Sequence, residues 1–264
     1  MKNRFSRSSY YKKRFFGYAG ICIFAGILAA SLFFALPLLH SPKASEEKSP
    51  ALPAVKQTEE SFDIVPVATG SEDKFLILIN WDNPSSGERP GDLVRQEDVF
   101  GEEVVLVNGE GSIQIDAAEA AQEMFLAATA QGIGPFQITT AYRSVEYQEE
   151  LFQKRKKQDP SYGEDPKNYP VKVLPGKFSE HTTGLALDIL SVSYSQADDG
   201  FADTAEGKWL LEHAHEFGFI LRYPKEKEHI TGVIYEPWHY RYVGKEAAKE
   251  IWEQGICLEE YLQK

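Results

Sequence analysis

The sequence predicts a single α+β domain, built on a central, mainly antiparallel sheet flanked by helices and preceded by one N-terminal transmembrane helix. Three observations carry this reading. Strand-like and helix-like segments alternate from Phe75 onward, and the neighbours Phe219–Tyr223 and Trp238–Val243 have the look of a hairpin. A run of 25 uncharged residues stands near the N-terminus. The 264 residues are 42% hydrophobic and 26% charged, which excludes a wholly disordered or collagen-like chain and leaves room for one sizeable core.

Charge is unevenly spread. The net charge of −12 excludes a nucleic-acid binder, which needs a basic face to neutralise phosphates. Residues 1–14 are the exception: Lys2, Arg4, Arg7, Lys12, Lys13 and Arg14 with no acid, read as a basic cytoplasmic tail. Residues 15–39 carry no charge, and their 25 residues exceed the roughly 20 that cross a hydrocarbon core. They predict a single-pass signal-anchor in the cell membrane with everything after it extracytoplasmic; cleavage and secretion is the alternative. Residues 40–74 hold Pro42, Pro50, Pro53 and Pro66 among small and charged residues, an extended linker. Residues 75–264 form the domain. Of the two cysteines, Cys22 lies in the apolar span and Cys257 in the domain, so no disulfide joins them.

Within the domain each element has a local cause. Phe75–Asn80 and Glu103–Val107 look like short strands. Asp116 to Gln131 repeats its apolar residues at helical spacing, and Gly132 ends it. Gln137–Ala141 is strand-like, and Ser144 then caps a helix to about Lys157. Gln158 to Lys177 is a Pro- and Gly-containing loop, long enough for a lid or binding loop. Ala186–Leu190 reads as a strand and Thr204–Phe217 as a helix closed by Gly218. Phe219–Tyr223 and Trp238–Val243 are strands, followed by a helix from Lys245 to Gln254.

Six histidines can be weighed singly. His40 abuts the membrane span. His213 and His215 are two apart on one helix, where side chains do not face each other. His229 sits in the charged turn Lys225–Glu228 and reads as solvated. His181 and His239 differ. The strand after His181 sends Leu185, Leu187 and Ile189 to the core and Asp188 to the opposite face. A carboxylate among strand apolars must be hydrogen-bonded or bind a metal, and both readings stay open here. Alternation puts His239 and Arg241 on one side of their strand, with Trp238, Tyr240 and Tyr242 on the other. Pro237 starts that strand and lets Glu236 turn back towards His239. Two histidines, an aspartate and a nearby glutamate match the needs of a catalytic zinc with one open position.

These residues also carry a resemblance. Ser179-Glu180-His181-Thr182-Thr183-Gly184-Leu185-Ala186-Leu187-Asp188 resembles the SxHxxGxAxD signature of VanY-like D-alanyl-D-alanine carboxypeptidases. Glu236-Pro237-Trp238-His239 is similar to their ExxH signature, and Tyr142-Arg143-Ser144 with Gln148 to their YRSxxxQ segment. The similarity runs from about Leu76 to Tyr261. It implies a hedgehog- or D-Ala-D-Ala-peptidase-like fold and Zn2+ held by His181, Asp188 and His239. It also implies Glu236 as general base, Arg143 at the substrate carbonyl or carboxylate, and Gln148 and Ser179 as lesser substrate contacts. The partners implied are peptidoglycan stem peptides ending in D-Ala, with no nucleic acid and no protein partner. The expected activity is therefore D-alanyl-D-alanine carboxypeptidase. An LD-carboxypeptidase or peptidoglycan endopeptidase with the same zinc site is the alternative, as is a non-catalytic metal-containing wall-binding module, which would have no need of Glu236.

Overall fold

Helix α1, Ile115–Ala130, shows how local chemistry builds this domain. Its N-terminus is capped by Gln114, whose side chain accepts a hydrogen bond from the Ala117 amide. Its small residues Ala117, Ala118, Ala121 and Ala128 are buried with Met124 and Phe125, so the backbone lies close to the sheet. Gly132 follows it at φ +78°, a left-handed turn that glycine adopts without a Cβ penalty. The structure, a computed structural model, describes residues 73–107 and 111–263. The basic tail, the apolar span 15–39 and the linker up to residue 72 lie outside the described residues. Among the described residues no helix is long and apolar enough to cross a membrane.

The architecture is α+β, as the sequence predicts. Strands β1 (Leu93–Arg95) and β3 (Ser112–Gln114) form a small antiparallel pair. The main sheet comprises β2 (Val104–Leu106), β4 (Phe136–Thr140), β5 (Ala186–Ser191), β6 (Phe219–Leu221) and β7 (His239–Tyr242). Its order is β2-β4-β5-β7-β6, with β2–β4 parallel and the other three pairings antiparallel. The parallel pair needs a crossover, and α1 lies within it.

Helix α2, Val145–Gln158, starts at Ser144, whose hydroxyl accepts from the Tyr147 amide at 3.2 Å. It ends in Arg155, Lys156 and Lys157, which oppose the helix dipole. The predicted helix Thr204–Phe217 is two pieces: α3, Ala205–His213, then a tighter 3-10 turn Ala214–Phe217 closed by Gly218. Short helix α4 (Glu228–Thr231), α5 (Lys245–Gln254) and α6 (Leu258–Tyr261) complete the chain. Residues of α1, α3, β5 and β7 share the main core, while α5 and Leu258 pack against Ile220 and Val243 in a second cluster.

One predicted strand is corrected. Phe75–Asn80 pairs with no strand of the sheet; its first residues, Asp73–Phe75, form a 3-10 turn. The carbonyls of Phe75 and Ile77 instead accept hydrogen bonds from one Nη2 of buried Arg241, both at 2.8 Å. A guanidinium takes the place of the neighbouring strand. The 159–175 segment has neither helix nor strand, yet Tyr162 Oη accepts from the amides of Lys172 and Val173 at 3.0 and 2.7 Å and ties it down.

Candidate metal centre

The register of two strands makes this site. In the β5–β7 ladder Asp188 lies directly opposite His239, and Ala186 opposite Arg241. Leu187 and Ile189 meanwhile join the core with Tyr240 and Tyr242, so the polar residues share the other face. Asp188 Oδ1 stands 3.1 Å from His239 Nδ1.

His181 arrives from a 3-10 turn, Glu180–Thr183, that is closed by Gly184 at φ +71° before β5 begins. A Cβ at Gly184 would meet Leu93 Cδ2 at 2.5 Å, so space and φ both require glycine there. The segment after β4 clamps this turn. His181 Nδ1 lies 2.6 Å from the Ala141 carbonyl, and the Arg143 amide donates to the His181 carbonyl at 3.0 Å. That leaves His181 Nε2 free to face Asp188 Oδ2 at 3.4 Å.

His181, Asp188 and His239 thus each offer a ligand atom, all within 4.8 Å of one another, and all three are buried. The imidazole rings stand edge-on, 4.8 Å apart. The donor set fits a zinc ion. Bonds of roughly 2.0–2.1 Å in a tetrahedron separate ligand atoms by about 3.3 Å. Asp188 Oδ1 stands 3.1 Å from His239 Nδ1 and its Oδ2 3.4 Å from His181 Nε2, so each carboxylate oxygen is at that spacing from one histidine. The other nitrogen of His181 has a partner in the Ala141 carbonyl, while His239 Nε2 faces Glu180 Oε2 at 3.8 Å, beyond hydrogen-bond distance.

The electrostatics separate the two rings. Burial lowers the His181 pKa to about 4, and the neighbouring Arg143 charge adds to this. Burial opposes the His239 cation too, but the carboxylates of Asp188 and Glu180 outweigh it and raise that ring to about 9. Asp188 is held well below its usual range: the two histidines overcome its burial. Burial pushes Glu236 up to about 8, with the Asp188 charge adding to the effect and His239 working against it.

Glu236 does turn back. The His239 amide donates to its carbonyl at 3.0 Å across the Pro237 turn, and its Oε2 reaches within 3.8 Å of His239 Nδ1. Arg143 is also beside the cluster, its Nη2 donating to Asp188 Oδ2 at 3.1 Å. Gln148 is 1% exposed; its Oε1 accepts from Arg143 Nη1 at 2.6 Å and its Nε2 donates to the Leu174 carbonyl at 2.7 Å. It holds the arginine. Ser179 is buried at the start of the His181 turn, its carbonyl accepting from the Thr182 amide and hydroxyl.

The other described histidines stay apart. His213 pairs with Glu216 at 2.8 Å, His215 stacks on Trp252, and His229 is exposed; His40 lies outside the described residues. Reading the sequence missed a buried ion cluster behind His239. Glu180 Oε1 accepts from Arg222 Nε and lies against Arg241 Nη1, each at 2.7 Å. Arg222 also makes a bidentate pair with Glu259, which accepts from Asn80. The one available signal was Arg241, on the same strand face as His239.

Comparison with known proteins agrees with this geometry. The family model for VanY, D-alanyl-D-alanine carboxypeptidase, matches residues 110–245. A D-alanyl-D-alanine carboxypeptidase of Enterococcus faecalis is 40% identical over 201 residues, covering 73% of this chain and 68% of that protein. Among solved structures, the LD-carboxypeptidase LdcB is similar at 37% identity and a TM-score of 0.64, over 73% of this chain and 87% of its own. A vancomycin-resistance D,D-pentapeptidase VanY from a VanB-type cassette, solved in complex with Zn(II), is 36% identical with a TM-score of 0.56, over 71% of this chain and 98% of its own. By its sequence match, its α+β fold and its His-Asp-His group, this chain belongs to the VanY D-alanyl-D-alanine carboxypeptidase family.

Proposed function

We propose that this chain is a zinc-dependent carboxypeptidase that removes the terminal D-alanine from peptidoglycan stem peptides. One observation carries the reading: a buried His181–Asp188–His239 group with the buried Glu236 carboxylate 3.8 Å from His239 Nδ1. The three residues would hold the zinc through His181 Nε2, an Asp188 oxygen and His239 Nδ1. When bound, the metal supplies Lewis-acid polarisation of the scissile carbonyl and a water acidic enough to ionise near neutral pH.

The protein's own groups do the rest. Glu236 takes the proton of the attacking water at its carboxylate and returns it to the departing amine; a base poised near working pH suits both steps. Arg143 brings a planar cation to the developing oxyanion or the substrate carboxylate. It is pre-positioned, because Gln148 and Asp188 hold two of its nitrogens. Burial around the cluster strengthens each of these charge contacts.

A second reading is favoured by the likeness to LdcB: an LD-carboxypeptidase, trimming an already shortened stem with the same centre. Incubating the purified full chain and zinc with defined penta- and tetrapeptide stems, then weighing the products, separates the two. Loss of D-alanine from the pentapeptide alone supports the first reading, and loss from the tetrapeptide alone the second. No product from either stem, with zinc bound, would overturn both and favour a wall-binding module.

The proposal extends to location. Residues 15–39 anchor the chain in the cell membrane with the catalytic domain outside, supported by the uncharged span and the six basic residues before it. Protease shaving of intact cells should remove the domain. A protected domain contradicts this.

A further inference from the structure

Glu180 stands at a position that the SxHxxGxAxD signature around His181 leaves unspecified, and a buried ion pair alone leaves half of it unexplained. Its Oε1 accepts a hydrogen bond from Arg222 Nε and stands in an ion pair with Arg241 Nη1. Its Oε2 has no hydrogen-bond partner among the described residues, and neither does His239 Nε2. These two unsatisfied atoms face each other at 3.8 Å, in side chains that are 0% and 4% exposed.

The chemistry makes them complementary. His239 presents Nδ1 to Asp188, so a metal on that nitrogen leaves the single ring proton on Nε2. Nε2 then becomes an obligatory donor in a dry interior, where an unmade hydrogen bond is costly. Glu180 Oε2 is the acceptor within reach once the pair closes by about one ångström, to about 2.8 Å. His181 shows the mirror arrangement, with Nδ1 anchored on the Ala141 carbonyl and Nε2 facing Asp188.

We infer that Glu180 is a positioning residue for the metal centre: a buried carboxylate, held by Arg222 and Arg241, that fixes the tautomer and angle of His239. Arg222 and Arg241 do more than neutralise it. By occupying Oε1 they aim Oε2 at the ring. Glu259 pairs with Arg222 from the far side, so the four side chains form a neutral cluster with one oxygen left for histidine.

The inference rests on the metal-centre reading, and the test keeps the two apart. Zinc affinity of the purified full chain is measured by competition with a chelating indicator, beside thermal unfolding of the metal-free protein. Glu180→Gln must turn an amide N–H2 towards either the arginines or His239 Nε2–H. It should weaken zinc by about 10- to 100-fold, the usual range for such an outer partner. Glu259→Gln removes the same charge from the same cluster without facing the histidine. It should lower thermal stability comparably and leave zinc affinity unchanged. Glu180→Asp keeps the charge for the arginines and withdraws the oxygen by one methylene; it should weaken zinc even if Glu180→Gln fails to fold. A parent protein that binds no zinc overturns the metal-centre reading. Glu180 variants that bind zinc as tightly as Glu259→Gln overturn this inference alone.

Discussion

Arg143 donates from Nη2 to Asp188 Oδ2 at 3.1 Å, so the cation proposed to meet substrate also grips a proposed metal ligand. The contact has two consequences. It adds a positive charge to the burial that already keeps the His181 ring neutral, which suits a ligand nitrogen. It also spends one nitrogen of the fork on the protein, and Gln148 spends another. The arginine is thus a rigid group rather than a mobile arm.

That rigidity makes Arg143 a test case. Arg143→Lys keeps the charge but loses the planar fork and both anchors. Zinc content should hold while kcat/KM on a D-alanine-terminated stem falls by about 10²–10³-fold, the scale of losing one preorganised oxyanion donor. Gln148→Leu removes one anchor only and should cost less. Equal activity in parent and Arg143→Lys would return the residue to a structural role.

The metal ligands are tested against the bystanders. His181→Ala, Asp188→Ala and His239→Ala each delete one of three ligands and should bind less zinc. His213→Ala and His215→Ala disturb only a contact with Glu216 and a stack on Trp252, and should bind as the parent does. Metal analysis of the five variants decides; full occupancy in the first three ends the assignment.

Much of this was legible in the sequence, for local reasons. Ser144 and Gly132 mark helix ends by hydrogen-bond and φ requirements that act within four residues. Period-two alternation put Asp188 and His239 on polar faces. That they face each other depends on the register of β5 against β7, fixed by packing between segments 51 residues apart. Glu180, Arg222 and Glu259 carry no local sign of their burial, because nothing in the neighbouring residues distinguishes a buried ion cluster from surface charges. Phe75–Asn80 misled for the converse reason: its pattern is strand-like, but its partner is the Arg241 guanidinium.

Zinc binding should be linked to protons with a definite sign. Ligand histidines must be neutral. In the metal-free protein His181, at about 4, is already neutral at pH 7, whereas His239, at about 9, is protonated. Glu236, at about 8, also carries a proton there and should lose it beside a dication. Affinity therefore rises with pH and levels off above about pH 9. At pH 7 the parent should release about two protons per zinc and Glu236→Gln about one. Calorimetry in buffers of different ionisation enthalpy counts them. Identical release from both proteins would uncouple Glu236 from the centre, and none from the Gln variant would show His239 to be neutral beforehand.

Glu236→Gln also separates catalysis from binding. The substitution preserves size and hydrogen-bonding capacity but removes the carboxylate that accepts a proton. Glu236 is buried, and its backbone already secures the turn: its carbonyl accepts from His239 and its amide donates to Tyr223. Those bonds survive the change, so the fold and the three ligands should too. If the side chain serves as base, turnover should fall by roughly 10²–10⁴-fold, the usual contribution of a positioned acid or base, with zinc retained. If it serves only the Pro237 turn, the variant should be nearly silent. Rates on a D-alanine-terminated stem peptide, measured beside zinc content in the same preparations, distinguish the two. Normal turnover in Glu236→Gln would remove the base from the mechanism and return the centre to a metal-containing binding module.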